Sequence, residues 1–192
     1  MATRHRLVTP PAVEPVTLAE AKTHVRVDHD ASDGELTRHI EAARQICETW
    51  TRRAFIEQVW ETTFDYGVVP DVDYVLARRP ALQVVQVATY DAAGAETVWG
   101  GSNYVLDGDV LRVLQAAGGW PQGTREHAPL AIRWKAGYLL GGTNEEKQAA
   151  VPDGIKDGIL EVVRAAFERE PVRFTRAAKE HLAPFRKFGG SR

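Results

Sequence analysis

The hydrophobic period changes twice along this 192-residue chain, and that change limits the fold more than any single motif. Leu36, Ile40, Ala43, Cys47 and Trp50 recur at steps of four and three. That spacing lays one apolar stripe along a helix starting near Ser32 or Asp33. After Phe55 the period falls to two: Trp60, Thr62, Phe64 and Tyr66 alternate, and "ALQVVQVATY" is rich in β-branched residues. From Pro152 the helical step returns, with Ile155, Ile159, Val162, Val163, Ala166 and Phe167 on one side, until Pro171 ends it. Neither helical stretch is long enough to be stable alone, so each stripe must find a partner. The expected fold is α+β: a helical bundle from N- and C-terminal helices, with an antiparallel β module inserted between its halves.

Turn and cap residues divide the chain further. Residues 1–16 contain Pro10, Pro11 and Pro15 and read as an extended N-terminal arm. Thr17 opens T-x-x-E with Glu20, a capping box that satisfies free amide donors at a helix start. Residues 17–56 are expected to hold the N-terminal helices of the bundle. Residues 57–139 form the β module of five or six strands, with a turn at Asp91 to Gly94 and a hairpin at Asp107-Gly108. Residues 140–171 supply a loop and the C-terminal bundle helix, and residues 172–192 a tail with a further helical piece.

Charge argues against a protein whose main task is to grip nucleic acid. The 24 basic and 26 acidic residues leave a net charge of −2, whereas phosphate contacts call for a basic surplus. The single cysteine excludes an intrachain disulfide. No run of eighteen apolar residues exists, and Arg4 and Arg6 near the start are not followed by the apolar core of a signal peptide. The expectation is a soluble product without membrane contact, assembled in the cytoplasm.

Reactive chemistry is hard to find. "DHDASDGE" spaces Asp28, Asp30 and Ser32 as a calcium loop would, but Asp33 stands where the loop needs glycine and His39 where it needs glutamate. Cys47 sits on the apolar stripe, as a small buried hydrophobe does. "GYLLGGTNEEK" lacks the G-K-[ST] ending of a phosphate-binding loop, and the six histidines show no zinc spacing. Trp50, Trp60, Trp99, Trp120 and Trp134 fall mostly at core-facing positions and read as core packing. The expectation is no catalytic residue, no cofactor and no metal. What stands out instead is "EHLAPFRKFGG", where Leu182, Pro184, Phe185, Arg186, Lys187 and Phe188 crowd apolar and basic side chains near the C-terminus.

Taken in order, several segments resemble a known family. "PVTLAEAKTHVRVD" followed by "DGELTRHIEAARQICETWTRRAF" is similar to the opening of tailed-phage head–tail connector proteins, also called adaptor or head-completion proteins. Leu18, Glu20, Lys22, Arg26, Asp33, Ala43, Trp50, Arg53 and Gln58 fall on that pattern, and "RRPALQVVQVATYDAAG", "YVLDGDVLRVL", "IRWKAGY", "VPDGIKDGILEVVRAAFERE" and "LAPFRKF" come after it in the same order. The family also occurs in prophages and gene transfer agents. The resemblance implies a structural role in the virion neck. Such a protein forms a ring, commonly of twelve copies, on the portal protein, extends the DNA channel and meets a neck or tail completion protein. DNA passes without specific binding. It also implies that the C-terminal segment, Leu182 to Phe188, contacts the portal. Pro171, Pro184 and Gly189-Gly190 read as a peptide that reaches a neighbour, and the alternative is that Leu182, Phe185 and Phe188 fold back onto the protein's own helices.

Two other readings stand beside it. A nucleic-acid-binding module would use Arg173, Arg176, Lys179, Arg186, Lys187 and Arg192 as a basic arm. An enzyme would need a pocket in the β module, for which the sequence proposes no residues.

Overall fold

The computed structural model describes residues 3–65, 73–114, 124–168 and 173–186. It is mixed α and antiparallel β, and the chain divides into two compact units: Met1–Pro10 with Glu57–Leu140, and Pro11–Ile56 with Gly141–Arg192.

The first unit is built from two sheets. A five-stranded sheet has the order β1 (Thr3–Thr9), β2 (Gln58–Phe64), β8 (Leu130–Ala136), β4 (Ala81–Tyr90), β5 (Glu96–Val98). Every neighbouring pair in it is antiparallel. A three-stranded sheet has the order β3 (Asp73–Val75), β7 (Val110–Val113), β6 (Tyr104–Asp107). Gly108, at φ 58°, makes the β6–β7 hairpin turn at the Asp107-Gly108 pair, because that left-handed geometry suits glycine. Phe64 meets Tyr74 edge to face at 5.0 Å, joining β2 to β3. Leu76, Leu111, Leu130, Ile132 and Trp134 are fully buried in this unit, with the Trp134 indole N–H donating to the Arg78 carbonyl at 3.1 Å.

The N-terminal segment differs from the expected arm. Thr3–Thr9 is extended, but it is a strand paired along β2, from Thr3 opposite Phe64 to Leu7 opposite Trp60. Strand pairing satisfies its backbone donors and acceptors on one side, which an arm in water does not need. The tryptophans also depart from a uniform core reading. Trp134 is fully buried, whereas Trp50, Trp60 and Trp99 are half-buried, and Trp120 lies outside the described residues. Tyr66 lies outside them too.

The second unit is helical. The capping box at Thr17 and Glu20 starts α1 (Leu18–Val25), and α2 (Asp33–Thr51) carries Leu36, Ile40, Ala43 and Cys47 fully inside. A second capping box, Thr143 with Glu146, starts α3 (Asn144–Ala149) inside the stretch expected to be a loop. Helix α4 (Asp153–Phe167) buries Ile155, Ile159, Val162 and Val163, and α5 (Arg176–Leu182) comes after it. Helix α4 packs against α1, α2 and α5. Both α1 and α2 end on arginines in the left-handed region, Arg26 at φ 60° and Arg52 at φ 59°.

Candidate docking site at the C-terminal segment

The C-terminal segment is seated by the small residues of α4. Gly154 and Gly158 are four apart and share one face of the helix. A Cβ at position 158 would lie 2.7 Å from Leu182 Cγ, and one at 154 would lie 3.1 Å from Phe185 Cε2. Two glycines thus open a shallow channel that a leucine and a phenylalanine three residues apart fill. Thr175 caps α5 by accepting from the Ala178 N–H at 3.1 Å, so the segment enters this channel as ordered helix.

Polar and aromatic contacts fix the residues beyond Leu182. Arg53 Nε donates to the Phe185 carbonyl at 2.6 Å, satisfying an acceptor at the end of a helical turn. The Arg186 guanidinium lies over the Trp50 ring at 4.7 Å, and Trp50 stacks on Phe174 at 4.7 Å with 27° between the planes.

These positions correct the idea of a wholly free peptide at its first member. Leu182 is fully buried and belongs to the helical core. Pro184 does not prevent this, because it sits inside a 3-10 turn (Ala183–Phe185) directly after α5, where its missing N–H is no loss. Pro184 and Arg186 are exposed and Phe185 is half-buried, so three of the six residues reach the surface together; Lys187 and Phe188 lie outside the described residues. The glycine channel is what sequence reasoning missed. Its signal was the D-G-x-x-x-G spacing in "PDGIKDGIL", which has meaning only once α4 and α5 are known to be neighbours.

Other singled-out residues have structural partners. Lys22 Nζ donates to Asp30 at 2.7 Å and to Asp33 at 2.8 Å, tying the acidic gap between α1 and α2 to the helix before it. Burial, with the Glu48 charge beside it, pushes the Cys47 thiol up to about 12, far from the thiolate a nucleophile needs. Arg44 is almost fully buried between Glu14, at 2.7 Å, and Glu48, at 2.9 Å. Burial opposes its charge, but these carboxylates outweigh that and raise its pKa. Glu48 also accepts from the Phe55 N–H at 2.9 Å, which anchors the exit of α2. Among the described residues no group of three or more His, Cys, Asp or Glu is arranged to hold a metal, and no helix is long and apolar enough to cross a membrane. Of the basic-arm residues, Arg176 is paired with Glu180 and Arg186 is engaged with Trp50.

Three solved structures share this fold. A chain in the neck of an empty gene transfer agent particle, computed with C6 symmetry, superposes with a TM-score of 0.72 at 20% identity, covering 97% of this chain and 98% of that one. A chain in the virion of a native gene transfer agent particle gives 0.70 at 20% identity, with 97% and 98% covered. A chain in the neck of the native particle, computed with C12 symmetry, gives 0.69 at 19% identity, with 99% of each chain covered. No curated protein sequence matches the chain significantly. The sequence profile described as "Phage gp6-like head-tail connector protein" matches residues 15–103, just under half the chain, from before α1 to the turn after β5. It is through this segment, residues 15–103, that the chain is similar to the phage gp6-like head-tail connector protein family.

Proposed function

We propose that this protein is a structural head–tail adaptor in the neck of a phage or phage-like particle. The family match over residues 15–103 carries the reading. The likeness of the whole chain to chains from gene transfer agent particles adds the fold, at identities too low to add more. In this reading the helices of the second unit act as one bundle into which the β unit is inserted. Copies form a ring, of twelve by the family pattern, on the portal protein, and the ring extends the DNA channel and receives a neck or tail completion protein. A net charge of −2 suits a channel wall that lets DNA pass, since a basic wall would hold it through many phosphate contacts. The role is one of shape and contact, with no catalytic step, cofactor, metal or membrane.

Docking on the portal falls to Phe185, Arg186, Lys187 and Phe188, with Pro184 shaping the approach and Leu182 holding the segment from inside. Burying one phenylalanine contributes roughly 1.5–3 kcal/mol before ordering costs. A ring of identical weak contacts multiplies that through effective concentration. Complementation tests the reading: particles assembled without this protein should accumulate as filled heads lacking tails, and purified protein should restore tail attachment. Normal tailed particles in its absence would refute it.

A further inference from the structure

We propose that neighbouring copies in the ring join their five-stranded sheets edge to edge, β1 of one copy pairing with β5 of the next; this rests on the adaptor reading. Among the described residues nothing pairs with the outer edge of either strand. All seven residues of β1 and all three of β5 are exposed, Leu7, Val8 and Val98 among them at 39%, 41% and 57%. A long exposed edge is a hazard that proteins normally cover or pair, and strand addition is a recurrent way to use one.

Charge selects the partner edge. One face of the sheet carries a polar ladder across all five strands. Arg6 on β1 donates to Glu61 on β2 at 2.7 Å, and Arg133 on β8 donates to the other oxygen of Glu61. Arg133 donates again to Gln86 on β4 at 3.1 Å, and Gln86 donates to Glu96 on β5 at 3.3 Å. The ladder therefore begins on a cation and ends on an anion. Its Arg6 end is 66% exposed, with one N–H committed to Glu61. With Thr97 level with Thr3, joining β5 to β1 brings Glu96 to the end of the next copy's edge that carries Arg4, two residues along the strand, and continues the alternation of sign. Pairing β1 with β1 would oppose Arg4, His5 and Arg6 to themselves, and like charges across a pair destabilise it.

Strand direction fits a closed ring. In an all-antiparallel sheet of five, the first and fifth strands run the same way, so copies related by rotation alone meet in parallel. Paired residues mark level rows across the sheet: Thr3, Phe64, Leu130, Thr89 and Thr97 form one, and Arg4, Thr63, Ala131, Ala88 and Val98 the next. Alternation then places Arg4 and Arg6 on the same face as Glu96 and Val98. One heterologous contact reused around an axis closes without a second kind of interface.

Hydrogen exchange on portal-bound rings tests this directly. Amides of residues 3–9 should exchange at least ~tenfold more slowly in the ring than in the free protein. Oxidation of a Thr3→Cys, Thr97→Cys double variant, in which Cys47 is buried, should give a ladder of linked copies, and either single variant none. Unchanged exchange at 3–9 in assembled rings, or dimers linked through Thr3→Cys alone, overturns the strand pairing and leaves the adaptor reading intact. Failure to form any ring on the portal sinks both.

Discussion

Leu182 occupies the space that a side chain at Gly158 would need: a Cβ there would lie 2.7 Å from Leu182 Cγ and 3.0 Å from its Cδ1. Leu182 is fully buried, so this contact is part of the core of the helical unit. Gly158→Ala should lower stability by about 1–3 kcal/mol through overpacking, although alanine is the better helix former. Leu182→Ala should cost about 2–5 kcal/mol by leaving a cavity. The double variant should recover part of the loss, because the smaller residue makes room for the new methyl. Urea melts of the three variants measure this, and strict additivity would contradict the contact.

Two truncations separate holding from docking. Removing residues 187–192 leaves Leu182, Phe185 and Arg186 in place, so the melting temperature should hold while capture on portal-bearing capsids falls. Removing residues 182–192 also deletes a core leucine and the Phe185 carbonyl that receives Arg53. That variant should lose about 2–5 kcal/mol and melt earlier. Equal melting temperatures for both truncations would mean that Leu182 does not anchor the segment.

Cys47 should resist alkylation in the native state at pH 8. Burial pushes its thiol up to about 12, which leaves almost no thiolate to react. Labelling should appear only with urea, tracking the unfolding transition. Fast native labelling would contradict its place on the buried stripe of α2.

Acid should weaken the β unit through Glu61. Burial raises its pKa, but hydrogen bonds from Arg133 and Arg6 lower it more, so the net shift is below the ordinary value of 4.5. The contribution is therefore complete above pH 4.5 and lost as pH falls through the depressed native value. Glu61→Gln should cost about 1–3 kcal/mol at pH 7 and progressively less below pH 4.5. Melts of both proteins from pH 7 to pH 3 read this out; a constant gap would contradict it.

How much of this was legible beforehand depended on whether a signal was local. The stripe from Leu36 to Cys47 and the Asp107-Gly108 turn report on neighbours in the chain, and the structure forms both. In the sequence β1 shows only as extended, because "TRHRLVT" is an edge strand exposed along its length and has no alternation. Its partner β2 begins at Gln58, so pairing is decided by distant sequence. The seat of the C-terminal segment is illegible for the same reason. Phe185 and Leu182 announce apolar surface, but only the position of Gly154 and Gly158 on α4 says where it goes. Arg53 holding the Phe185 carbonyl joins residues 132 positions apart, which no local pattern encodes.

Cryo-electron microscopy of the purified protein mixed with its portal tests the adaptor reading most directly. The account predicts a closed ring of copies coaxial with the portal, the channel continuing through it, and the segment from Pro184 onward in contact with portal density. Copies that leave the portal bare, or that bind it singly without closing a ring, would contradict it.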